Sequence, residues 1–276
     1  MERRRRVYPV QRTYEKWVSG LLLFLSLIVV FSGLVWRGEG QELTIQLAPS
    51  PTPIPLNESF DETPVQAEIT LPGGEWYALQ LGAFENEESA QLLAQQFSRR
   101  GAAGYVWNDG RYRTLAAVYA LKEDAQNVRE QLMAQHKVET YLYTISFPQM
   151  QLRLSGMQGQ VEILQAAFLH ADEMIRLLQS TCAALDRQEM SLSEISASLN
   201  AMNDQLVAVA LRMRQRFAAP RHQTVDGLLK CFEDYASFVS SISLSESEVG
   251  FGTRLKYQTF VSLDQFKRVY DSLTNT

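Results

Sequence analysis

Two segments of this 276-residue chain repeat one another at an offset of 35 residues: Tyr77-Ala-Leu-Gln-Leu-Gly-Ala-Phe84 and Tyr112-Arg-Thr-Leu-Ala-Ala-Val-Tyr119. Each leads into a helix-like run, and the register holds, with Ala90, Gln91, Leu93, Gln96 and Phe97 matched by Ala125, Gln126, Val128, Gln131 and Leu132. A duplicated strand-then-helix unit, with a short strand after each helix, gives the order βαββαβ. That order builds a ferredoxin-like domain, a four-stranded antiparallel sheet backed by two helices. Alternation over Tyr77 to Leu81 sets Tyr77, Leu79 and Leu81 against the helices and leaves Ala78 and Gln80 on the opposite face. One face is core, and the other is open to a ligand.

With Gly104 and Val106 inward on the second strand and Leu142 inward on the fourth, Tyr105, Trp107, Tyr141 and Tyr143 join Gln80 outside. Arg113 and Leu115 share that outer face on the third strand. The same aromatics also suit β structure in general, or a place beneath the helical region that follows. RNA-recognition modules use this topology too, so the fold by itself does not choose the ligand.

Residues 76–145 resemble the SPOR domain, the sporulation-related repeat that binds peptidoglycan in bacterial envelopes. The likeness rests on Tyr77, Gln80, Gly82, Ala83, Phe84 and Ala90 in the first half and on Tyr112, Arg113 and Ala125 in the second. Leu115 stands where the family often has Arg, and Ala117 where it usually has Gly. The resemblance implies a sheet face that holds glycan strands whose stem peptides have been removed. Sugar C–H faces would stack on aromatic rings while hydroxyl and acetamido groups take hydrogen bonds. On that implication the glycan-binding residues are Gln80, Tyr105, Trp107, Arg113, Leu115, Tyr141 and Tyr143.

Trp17 to Trp36 carries no charge and is dominated by Leu, Val, Phe and Ile. A length of about 20 residues suits a single membrane-spanning helix with interfacial Trp at both ends. Arg3 to Arg6, Arg12 and Lys16 precede it, so the positive-inside rule keeps the amino terminus cytoplasmic and sends the bulk of the chain outward. Leu34, Val35 and Trp36 after Ser32-Gly33 are too bulky for a signal-peptide cleavage site. The expected location is therefore the cytoplasmic membrane, single-pass. Pro49, Pro51, Pro53, Pro55, Pro64 and Pro72 then mark an extended linker.

After Pro148 the periodicity changes to heptad-like spacing. One seam runs through Met157, Val161, Leu164, Phe168, Ala171, Ile175, Leu178, Cys182 and Leu185. A second runs from Leu192 to Met213 behind Ser191-Leu-Ser-Glu194, which has the spacing of a capping box. A third joins Val225, Leu228, Phe232, Tyr235, Val239 and Ile242, and a less regular fourth includes Leu255, Phe260, Leu263, Tyr270 and Leu273. The expectation is an all-α antiparallel bundle of three to four helices. Hairpin geometry sets Cys182 and Cys231 far apart, giving two buried thiols rather than a disulfide.

The resulting α+β division is a cytoplasmic basic segment over 1–16, a transmembrane helix over 17–36, a Pro-rich linker over 37–72, a SPOR-like domain over 73–148 and a helical bundle over 152–276. His136, His170 and His222 are scattered, and no metal-ligand spacing, phosphate loop or nucleophile elbow appears. The chain reads as a non-enzyme without metal or cofactor, and a net charge of −5 argues against a nucleic-acid partner. The functional expectation is a bitopic envelope protein that binds denuded peptidoglycan glycan strands in cell division or sporulation, its bundle engaging an envelope protein partner. The alternative is an assembly scaffold, or a wall-hydrolase regulator, in which both folded parts bind proteins rather than glycan.

Overall fold

A computed structural model describes residues 63–274. Asp186–Glu189 aside, the described residues fall in one compact unit. Among the described residues no helix is long and apolar enough to cross a membrane. The expected fold class is corrected on two counts: the described fold contains no membrane-spanning helix, and two sheets rather than one precede the helices. The span expected over Trp17 to Trp36 lies outside the described residues, as do the basic segment and most of the linker.

The larger sheet holds β2 (Gly74–Phe84), β3 (Tyr105–Asn108), β4 (Tyr112–Tyr119) and β5 (Tyr141–Phe147), in the order β3-β4-β2-β5. Helices α1 (Glu87–Ser98) and α2 (Lys122–His136) back it, which completes βαββαβ. The two repeat strands lie side by side as an antiparallel pair, Tyr77 opposite Tyr119 and Phe84 opposite Tyr112. Their helices meet the sheet through the equivalent residues Ala90 and Ala125, both without exposed surface. A methyl side chain lets each helix approach closely, which is why the repeat keeps alanine there. Asn86 caps α1 by accepting from the Ser89 amide at 2.9 Å.

A bulge in β2 between Gln80 and Gly82 reverses the facing of the strand end. Gly82 turns toward α1, where a Cβ would lie 2.9 Å from the Phe84 ring and 3.0 Å from Leu93 Cδ2. Gly104 enters β3 with φ +61°, and a Cβ there would fall 2.6 Å from the Ala94 carbonyl oxygen. Gly104 requires glycine, because the obstacle is backbone and φ is positive, whereas at Gly82 the crowding atoms are side-chain ends that can shift.

The second sheet is a two-stranded ribbon of β1 (Pro64–Leu71) and β6 (Met150–Met157). Ile69 lies opposite Leu152, and Leu71 opposite Met150. The ribbon extends the line of the β2–β5 pair beyond a break formed by Pro72-Gly73 on one strand and Pro148-Gln149 on the other. The end of the segment read as linker is thus strand, and Met157, read as the start of the first helical seam, closes β6.

Four helices follow: α3 (Gln158–Asp186), α4 (Leu192–Arg216), α5 (Gln223–Ser240) and α6 (Glu248–Thr274). The seam residues Phe168, Ile175, Leu178, Ile195, Leu199, Leu206, Leu228, Phe232, Tyr235, Leu255, Phe260 and Leu263 are all buried in one core. Tyr235 donates its hydroxyl to the Leu199 carbonyl at 3.0 Å, tying α5 to α4. The capping box forms as its spacing predicts, with the Ser191 amide donating to Glu194 at 2.8 Å. Both cysteines are thiols, but they are closer together than the hairpin geometry implied. Cys182 lies 3.6 Å from the Thr259 hydroxyl and Cys231 donates to the Ser262 carbonyl at 3.9 Å, one turn apart along α6. Burial pushes the Cys231 thiol up to about 12.

Candidate functional site

Strand register decides which side chains share the sheet face opposite α1 and α2. Across β2 and β5, Trp76 pairs with Ile145, Ala78 with Tyr143 and Gln80 with Tyr141. Across β3 and β4, Tyr105 pairs with Leu115 and Trp107 with Arg113. All seven residues expected from the sequence therefore lie on one face, which is divided into a covered half and an accessible half.

The covered half is not open to a ligand in this structure, contrary to the expectation of a free outer face. Trp107 and Leu115 are 5% and 0% exposed, and Trp76, Ala78, Val118, Ile145 and Phe147 are buried beside them in the core that includes α3 and α6. The Tyr105 ring stacks on Phe260 at 5.5 Å between centroids and 12° between planes, with the edge of Tyr257 at 5.3 Å. Its hydroxyl donates to Asp264 at 2.7 Å. Burial, followed by the Asp264 carboxylate, drives the Tyr105 phenol far above its ordinary value. Phe147 meets Phe266 and Tyr270 at 5.9 and 5.1 Å. At the sheet's other margin Thr253 donates to the Ser98 carbonyl and Lys256 to that of Gly101, each at 3.3 Å. The physical reason for the cover is the apolar character of the outer positions themselves: a sheet with hydrophobic residues on both faces must bury both.

The accessible half is built around Arg113. Its guanidinium donates to Gln80 Oε1 at 2.9 Å and to both oxygens of Asp109 at 2.9 and 3.0 Å. It also lies over the Tyr143 ring, 4.6 Å from the centroid, while the Tyr143 hydroxyl donates to Asp109 at 2.9 Å. Burial raises the Asp109 carboxyl, but hydrogen bonds from Tyr143, Arg113 and Arg111 outweigh it and hold the group below the usual carboxylate range. Burial and Asp109 together push the Tyr143 phenol up to about 12. Tyr141, 53% exposed, flanks the cluster with its hydroxyl on Glu139 at 2.6 Å. An oriented amide, a guanidinium and two phenols give hydrogen-bonding groups and ring faces together, the pairing that carbohydrate recognition needs.

The sequence reading missed Asp109, Trp76 and Phe147. Asp109 sits in Asn108-Asp109-Gly110, which reads as turn chemistry; its separation from Arg113 across the β3–β4 turn was the available signal. The outward Trp76 and Phe147 were legible from alternation along β2 and β5. Among the described residues, no cluster of His, Cys, Asp or Glu has the makings of a metal site.

Comparison with known families matches residues 73–143 to the SPOR domain, a segment running from the start of β2 into β5. Comparison with characterised proteins and with solved structures returns no match.

Proposed function

We propose, from the membership of residues 73–143 in the SPOR domain family, that this chain binds peptidoglycan glycan strands in the cell envelope during division or sporulation. The SPOR domain is a binding domain rather than a catalytic one. The observation that carries the reading is the accessible cluster of Gln80, Arg113, Tyr143 and Tyr141 on the outer face, with Asp109 holding Arg113 and Tyr143 in place. The test is cosedimentation of the purified chain with peptidoglycan sacculi before and after amidase removal of stem peptides. Binding rises on denuded glycan and falls in Gln80→Ala and Arg113→Ala; absence of binding to either preparation removes the reading.

A second reading is favoured by the buried Tyr105, Trp107 and Leu115: the domain then serves as an envelope scaffold or wall-hydrolase regulator whose helical region engages a protein. Val207 and Leu211, exposed one turn apart on α4, are apolar groups available to such a partner. This reading is supported if localisation to the division site survives substitutions that abolish sacculus binding.

A further inference from the structure

We propose that α6 is an autoinhibitory cover. It occupies the Tyr105–Trp107–Leu115 half of the sheet face, and a glycan strand gains that half only when α6 lifts. The inference rests on the peptidoglycan reading above.

Two contacts of α6 stand where a sugar would engage Tyr105. The Phe260 ring lies parallel to Tyr105, 12° between planes, where the apolar face of a pyranose would stack. Asp264 accepts the Tyr105 hydroxyl at 2.7 Å, where a sugar oxygen would. The two halves are contiguous, because Trp107 is paired with Arg113 and its ring lies 6.5 Å from Tyr143. A strand seated on the accessible cluster and continuing along the face therefore meets α6. Cover and ligand compete for one platform.

The fold also supplies a hinge. Among the described residues, the sheet domain joins the ribbon and helices through two short links, Pro72-Gly73 and Pro148-Gln149, which lie side by side where the strand ladder breaks. A Cβ at Gly73 would fall 2.7 Å from the Gln149 amide nitrogen, so the links pass in close contact. Everything that covers the face is connected to one side of this pair of links. Farthest from the hinge, beyond the Tyr105–Phe260–Tyr257 stack, α6 reaches the sheet domain through the polar contacts of Thr253 and Lys256. A groove of about 860 Å³ runs there between α1, the edge strand β3, α5 and α6, lined by Gln91, Gln95, Tyr105 and Tyr257 among others. The interface is thus tight near the hinge, where Phe147, Phe266 and Tyr270 interlock, and incompletely filled at the far margin.

The experiment locks and releases the cover in the full chain. Ser98→Cys with Thr253→Cys places thiols on the hydrogen-bonded margins of α1 and α6, outside the glycan face. With the disulfide formed, binding to denuded sacculi is expected to fall by roughly tenfold or more relative to the same protein after reduction, since apparent affinity scales with the open fraction. Asp264→Ala, which frees the Tyr105 hydroxyl, is expected to strengthen binding several-fold. Hydrogen exchange on the wild-type chain gives an independent readout: soluble denuded glycan strands should deprotect the 253–264 segment. Equal binding by locked and reduced protein, or unchanged protection of α6 in glycan-saturated protein, overturns the cover while leaving the accessible cluster as the site. No binding by any form, reduced or Asp264→Ala included, removes the peptidoglycan reading itself.

Discussion

Leu115 shows at a single position how this sheet differs from the one its repeat leads one to expect. It is fully buried opposite Tyr105 and Gln80, at a position where the family resemblance expects arginine. Beneath a helix an aliphatic side chain is stable and an unpaired guanidinium is not, so the substitution and the cover account for one another. Leu115→Arg should therefore strand a charge, the neighbouring Asp109 being already engaged by Arg113, and cost about 3 kcal/mol or more. Urea denaturation measures the loss; a midpoint matching wild type would mean that α6 does not seal this position. Asp109 supports a second prediction, from pH. Its folded-state carboxyl titrates below the ordinary value, so the stability it contributes is present above the unfolded-state value near pH ~4 and is lost as pH falls through the folded one. Thermal scans from pH 6 downward should show wild type losing its advantage over Asp109→Asn below about pH 4. A constant difference between the two at all pH values would contradict the assignment.

Among the elements, those organised by local pattern were legible and those defined by distant partners were not. The repeat, the inward and outward residues of the regular stretches of β2 to β5, and the seams of the four helices follow from periods of two and 3.6, whereas the register shifts between Ala78 and Gly82 do not. The ribbon was hidden because Pro64 and Pro72 bracket β1 and read as linker, although Val65, Ala67, Ile69 and Leu71 alternate as a strand should. On β6, Met150, Leu152 and Leu154 carried the same signal and were absorbed into the helical region. The covering of the sheet face was harder to see, since Tyr105 and Asp264 are 159 residues apart and nothing local joins them. Its only trace was chemical: Trp76, Ala78, Leu115 and Val118 make the outer side of β2 and β4 as apolar as the inner side. The break between the two sheets yields its own prediction. Gly73→Ala sets a Cβ against the Gln149 backbone, which cannot yield as a side chain would, so the link must spread. A loss of about 1–3 kcal/mol is expected, read as a fall in melting temperature. Wild-type stability in this variant would mean that the two links part at no cost.

For the molecule as a whole, the decisive quantity is how much of the sheet domain's stability resides in its cover. Trp76, Trp107, Leu115, Val118, Ile145 and Phe147 are buried on the outer face. At about 1.5–3 kcal/mol for each large side chain, returning them all to water would cost on the order of 10 kcal/mol, comparable with the net stability of an entire domain. Complete separation of the helices from the sheet is therefore rare in water, and opening must be an exchange, in which a ligand replaces α6 over Tyr105 and Trp107 while the Phe147–Phe266–Tyr270 cluster stays closed. The same arithmetic predicts the behaviour of residues 73–148 produced without the ribbon and helices. Stripped of its cover, that fragment should enhance the fluorescence of 8-anilinonaphthalene-1-sulfonate and self-associate in analytical ultracentrifugation, whereas the intact chain should do neither on account of this face. Adding denuded glycan strands to the fragment should suppress both signals if carbohydrate can take the place of α6. A fragment that is monomeric and dye-silent from the outset would show that the outer face does not depend on its helices, and the energetic case for competition between helix and glycan would fall with it.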